Sequence, residues 1–324
     1  MAPAVQRSAV GTKATKRPTQ TQSRPETSTN QPKAFFPYAR YTSLVGVHTS
    51  LLAFTAIFLP MSAFADFSTP AQYKSRPKRA PIVVLTESPW RTVAWMCLGC
   101  LVLQWWWAGW VREWKLEASV SMEGNGQEQS SETEEHKAER ILRQKEWDSQ
   151  KPQVTIKAAV ATLAASVAYH IVIVLFGAPI ASHLGSTYLL ALLLALLTVW
   201  TPAYVVGPPS LSSDSDSLVK RMTWICLFAE LNPRSPIERS LVYPIVGAFL
   251  GCWTGVIPIG LDWERPWQAW PLTPAWGAIG GTILGSLWAL VVNNFKEIVQ
   301  LGITAERGSV KSKKSSKKPK QKKT

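Results

Sequence analysis

The chain has 324 residues, of which 46% are hydrophobic and 17% charged, with 16 Trp and a net charge of +14. The charge sits at the ends. Residues 1–41 carry seven Lys/Arg against one Glu, residues 311–324 carry eight Lys and no acid, and the stretch between them is neutral at twenty basic against twenty acidic side chains. A soluble enzyme with a basic face, or a histone-like binder, spreads positive charge over its folded part, so this distribution argues against both and no nucleic-acid partner is expected.

A bilayer core of about 30 Å needs roughly 20 mostly apolar helical residues. Six segments come close to that rule, at residues 42–65, 90–110, 154–178, 188–206, 241–259 and 274–294. The fourth contains LLALLLALLTVW, apolar on every face, which suits lipid or a buried bundle. Leu193 in this run is read as lipid-facing. Pro202 is expected to kink the end of that helix and Gly207-Pro208-Pro209 to stop it. Residues 222–231, MTWICLFAEL, are too short to span and are placed at the membrane interface. The termini, rich in Pro, Ser, Thr, Gln and Lys, bury too little apolar surface to offset chain entropy. The reading is an all-α polytopic membrane protein, a bundle of about six transmembrane helices with disordered basic termini.

Lys and Arg in the short flanks set the orientation. With a cytosolic N-terminus, six spans put the Lys-rich tail in the cytosol too. Residues 179–187 contain no Lys or Arg, as suits a lumenal loop, and Lys220, Arg221, Arg234 and Arg239 mark a cytosolic one. Lys74, Arg76, Lys78 and Arg79 dissent on the lumenal side. The resulting division is a basic cytosolic arm (1–41), two spans with a basic loop (42–110), a charged cytosolic loop (111–153), four spans ending in a Gly-rich hairpin (154–296) and a Lys-rich cytosolic tail (297–324). Ala63-Phe64-Ala65 has the form of a signal-peptidase site, but about 40 residues precede the apolar run, so the first span is expected to be retained.

Catalytic chemistry is hard to find. Cys97 and Cys100 lie inside the second span, where they read as packing residues rather than zinc ligands or a redox pair. His48 and His170 lie at membrane depth, where a neutral imidazole bonded to a neighbouring helix is the cheaper reading. There is no HExxH, GxSxG or P-loop. No catalytic residue, cofactor or metal is assigned.

The last two spans carry a sharper pattern. Gly247, Gly251 and Gly255 are four residues apart on the fifth, and Gly277, Gly281 and Gly285 repeat the spacing on the sixth. Residues at i and i+4 share a helix face, so each helix carries a groove without side chains, suited to close helix packing or partner docking. The grooves face either each other or a partner. The connecting turn holds Asp262, Trp263, Arg265, Pro266, Trp267, Gln268, Trp270 and Pro271. Its three Trp suit the headgroup belt, with Arg265 pairing to Asp262 or Glu264. An acid/base pair of Asp262 and Glu264 is the competing reading.

The string GAFLGCWTGVIPIGLDWERPWQAWPLTPAWGAIGGTILG resembles the PIG-F family of glycosylphosphatidylinositol (GPI) anchor biosynthesis, with Asp262-Trp263, Arg265-Pro266-Trp267-Gln268 and Trp270-Pro271 as its core. The resemblance covers about the last third of the chain. The acidic insertion after the second span and the Lys-rich tail fall outside it. It implies a non-catalytic, multi-pass subunit of the endoplasmic reticulum membrane, in contact with membrane lipids, that stabilises ethanolamine-phosphate transferases of the PIG-O and PIG-G type. Those partners would hold the metal-dependent lumenal site. Lys320 and Lys322 resemble a cytosolic dilysine retrieval signal. The alternatives are a phosphoethanolamine transferase in its own right, using Asp262 or Glu264, and a GPI-lipid carrier or flippase, using His48 and His170.

Overall fold

The computed structural model describes residues 36–62, 81–124, 134–179, 182–210, 212–261 and 263–316. Asp262, Lys320, Lys322, the basic segment from Lys74 to Arg79 and nearly all of the N-terminal arm lie outside those residues. The described chain is helical, with no strand among the described residues. Its helices are α1 (Tyr38–Ile57), α2 (Pro81–Glu87), α3 (Pro89–Gly124), α4 (Glu134–Leu175), α5 (Leu184–Ala195), α6 (Thr201–Val205), α7 (Ser215–Trp224), α8 (Pro236–Thr254) and α9 (Leu272–Ser316). A π-helical turn, Leu196–Trp200, joins α5 to α6, and a second, Ile225–Ala229, extends α7.

Five helical segments are long and apolar enough to cross a membrane: α3, α4, α5 with α6, α8 and α9. α1 is less apolar because it carries three Thr, two Ser and His48. Its 20 residues still cover about 30 Å at 1.5 Å each, and it packs along α3 and α9 as the sixth helix of the bundle.

Local chemistry fixes the helix ends. α8 opens on a capping box: Glu238 N donates to Ser235 Oγ at 3.1 Å and Ser235 N donates to Glu238 Oε2 at 3.0 Å, with Pro236 at the first helical position. α6 stops at Gly207, whose φ of +91° is left-handed, and Pro208 prevents the helix resuming. The kink expected at Pro202 takes the form of the π turn just before it, where the proline ring and its missing N–H disturb the ladder.

The helices run further than the sequence division suggests. α3 continues to Gly124, α4 begins at Glu134 inside the segment assigned to a charged loop, and α9 continues to Ser316 inside the assigned tail. Once a span supplies the costly nucleus, each further residue adds a hydrogen bond, and ion pairs such as Lys151–Asp148 at 2.8 Å need no apolar stripe.

α5 and α6 form the most enclosed crossing, with Leu190, Leu193, Leu196, Leu197 and Trp200 all buried. Leu193 therefore does not face lipid, contrary to the sequence expectation. A helix apolar on all sides has no polar face to orient it, and here the other helices close around it. α4 is the outermost crossing, with Ile156, Val160, Leu163, Val167 and Ile171 forming one exposed stripe.

Side-chain contacts define two ends. At one, α2 packs on the short 3-10 turn Pro266–Gln268, and Trp270 Nε1 donates to Thr187 Oγ1 at 3.0 Å. The connections α1–α3, α4–α5 and α8–α9 thus share an end. At the other, Lys115 Nζ donates to Val205 O at 3.1 Å, Trp224 Nε1 to Gly207 O at 2.8 Å, and Asn293 Nδ2 to Pro236 O at 3.1 Å.

Candidate functional site

The α8–α9 hairpin is built on the six glycines, which lie face to face. A Cβ placed on Gly247 would overlap the carbonyl of Gly281, and one on Gly251 would overlap that of Gly277. The reverse substitutions at Gly277 and Gly281 meet the carbonyls of Gly251 and Gly247. At the two extremes, Gly255 lies against the Thr273 backbone and Gly285 against that of Tyr243. The backbones are therefore in direct contact over about two helical turns, a separation that only glycine permits. Gly280 is different: a Cβ there meets nothing within 4 Å. Beside it, Tyr243, Val246, Leu250, Leu284 and Trp288 line an open, mostly apolar groove of about 780 Å³ on the outer face of the hairpin.

The turn that closes the hairpin is organised by Gln268. Its Nε2 donates to Pro258 O at 2.6 Å and Leu261 O at 2.7 Å, while its Oε1 accepts from Arg265 N at 2.7 Å. One amide thus ties together three backbone groups of the turn, adding to the bonds that Pro258 O and Leu261 O already accept from Leu261 N and Trp263 N. Trp263 and Trp267 meet edge to face at 5.6 Å, and Trp263, Glu264, Arg265 and Pro266 are exposed. Glu264 and Arg265 form no ion pair with each other, and the pairing of Arg265 with Asp262 falls outside the described residues. Trp270 and the cis-linked Pro271 lead into α9. Trp276 Nε1 then donates to Ala56 O at 3.1 Å, tying the hairpin to α1.

Polar contacts in the bundle interior supply residues that the sequence reading missed. Thr201 Oγ1 donates to Gln104 Oε1 at 2.7 Å, and buried Arg239 donates through Nε to Asn293 Oδ1 at 2.5 Å and through NH1 to Arg234 O at 2.8 Å. The available signal was a polar letter inside an apolar run, as at Gln104 and Asn293. Cys97 and Cys100 are buried within the main apolar cluster, and His170 packs edge to face on Tyr188 at 5.9 Å. Among the described residues no three His, Cys, Asp or Glu side chains converge on a point. What the arrangement does is hold helices, through a glycine seam and a tied turn.

Comparison with known proteins gives this architecture a family. The model described as "GPI biosynthesis protein family Pig-F" matches residues 78–290. The chain is 31% identical over 137 residues to the human "GPI ethanolamine phosphate transferase, stabilizing subunit", covering 41% of this chain and 58% of the relative. It is 33% identical over 144 residues to the mouse protein of the same name, covering 43% and 61%. It is 39% identical over 128 residues to "Glycosylphosphatidylinositol anchor biosynthesis protein 11" of Debaryomyces hansenii, covering 40% and 50%. The alignments thus span about half to three-fifths of these relatives' length. No solved structure matches. With the family match extending from before α2 through most of the glycine hairpin, the chain belongs to the PIG-F family of GPI biosynthesis proteins.

Proposed function

We propose that this chain is a non-catalytic membrane subunit of GPI-anchor assembly that binds and stabilises ethanolamine-phosphate transferases of the PIG-O and PIG-G type. The observation that carries this reading is the family match over residues 78–290, together with relatives named as the stabilizing subunit of that transferase. The protein resides in the endoplasmic reticulum membrane with both termini cytosolic, an orientation supported by the Lys/Arg-rich ends and the Lys/Arg-free loop at residues 179–187. The partner docks at the lumenal turn and the hairpin behind it. Trp263 and Arg265 are exposed there, and the inner glycines are already used within the chain.

The test separates a subunit from an enzyme. In cells deprived of this protein, transferase abundance falls, and restoring the chain brings it back. Asp262→Asn and Trp267→Ala lower the amount of co-purified transferase, while phosphoethanolamine transfer per unit of transferase stays constant. A variant that keeps its partner at full level and transfers nothing makes the chain an enzyme and overturns the reading.

A further inference from the structure

Within the bundle the apolar packing is interrupted by a small chamber. Its polar lining is His48 from α1, Gln104 from α3, Thr201 from α6, Ser240 from α8, and Thr282 and Ser286 from α9. The hairpin forms one wall, and α1, α3 and α6 form the others. His48 is 2% exposed and stacks on Trp107 at 4.8 Å, and neither ring nitrogen has a protein partner. A neutral imidazole carries one donor and one acceptor, and a hydrocarbon interior offers nothing to match either.

The remaining groups show what would fit. Gln104 Oε1 is engaged by Thr201, so the amide NH2 is the end left to donate. The hydroxyls of Ser240, Thr282 and Ser286 donate to Ile237 O, Ala278 O and Thr282 O, which leaves their oxygens as acceptors facing the chamber. Pro244, also in the lining, has no N–H to offer the carbonyl of Ser240 four residues before it. The chamber therefore has a few donors and an excess of acceptors. The room for a water-sized sphere is about 10 Å³, close to the minimum of about 10–15 Å³ that one water needs.

We propose that a single ordered water occupies this chamber, accepting from Gln104 and donating to His48 and to a serine oxygen of the hairpin. It is a polar tie between the hairpin and the rest of the bundle, complementing the Trp276 and Trp270 hydrogen bonds nearer the turn. The inference rests on the chamber alone and stands whatever the partner proves to be.

Hydroxyl-radical footprinting by X-ray pulse, on the full chain in nanodiscs with 18O-labelled water and mass-spectrometric readout, tests it. A held water generates radicals beside its neighbours even where bulk solvent does not reach. Trp107 (4% exposed) and His48 should be oxidised several-fold more than the buried Trp114 and Trp200, which do not line the chamber. Gln104→Met keeps volume and removes the amide, and should bring Trp107 and His48 down to the level of Trp114. If Trp107 and His48 match Trp114 and Trp200 in the unaltered protein, the chamber is dry and the proposal fails, with no variant required. Undiminished labelling in a folded Gln104→Met protein equally overturns the assigned water.

Discussion

A buried cation without a carboxylate is unusual, and Arg239 is one: it is 4% exposed and forms no ion pair with a described acid. Its charge is met by the side-chain oxygen of Asn293 and the carbonyl of Arg234. Asn293 in turn donates to Pro236 O, so one amide joins α9 to both the start of α8 and its buried arginine. Removing one member of such a pair leaves the other's desolvation uncompensated, whereas removing both leaves no stranded charge. Asn293→Leu should therefore destabilise the bundle by about 2–4 kcal/mol. Adding Arg239→Met to it should recover part of that loss. Thermal unfolding in detergent, followed by fluorescence-detected size-exclusion chromatography, measures both, and an unchanged midpoint for Asn293→Leu would remove the pair from any structural role.

At the scale of the helix, the glycine seam separates two kinds of glycine on one segment. Gly281 faces the carbonyl of Gly247, whereas Gly280, its neighbour, faces open space. Gly281→Ala forces the backbones apart and forfeits short-range contacts along the seam, a cost of about 1–3 kcal/mol. Gly280→Ala meets nothing and has the better helix propensity, so it should be neutral or mildly stabilising. Leu284, exposed on the same helix, supplies the lipid-side control that Leu193 cannot. The readout is again the unfolding midpoint, and equal behaviour of the two alanine variants would refute a seam in contact. The i, i+4 spacing made the grooves legible in the sequence, because a helix face follows from spacing alone. That they meet each other was not legible, since facing depends on how two helices rotate. The same reason hid the burial of Leu193: LLALLLALLTVW looks identical from every side.

For the whole molecule, the bundle's extent was legible because six apolar runs are a one-dimensional property. The chamber was not, because its six polar side chains come from five helices and converge only on folding. The side of the membrane on which each end lies turns on α1, the crossing with the least apolar sequence. Phe36, just before α1, packs edge to face on Trp114 at one end of the bundle at 5.7 Å, while Ala56 near its far end accepts from Trp276 beside the closing turn. α1 thus runs the depth of the bundle, with His48, Thr49 and Thr55 turned inward and buried, while Thr42 near its start is exposed. Thr49 Oγ1 donates to Val45 O at 2.9 Å, and the exposed Thr42 and Ser43 likewise return their hydroxyls to Tyr38 O and Ala39 O within the helix. An even number of crossings places both basic termini on one side, and an odd number would separate them. In the orientation proposed above from the positive-inside bias, that side is the cytosol. A glycan acceptor inserted between residues 179 and 187 should then be modified in the endoplasmic reticulum, and one at either terminus should not, read as an endoglycosidase-sensitive mass shift. Modification at the N-terminus alone would mean that α1 does not cross and the bundle has five spans, whereas modification at both ends would invert the orientation while keeping six.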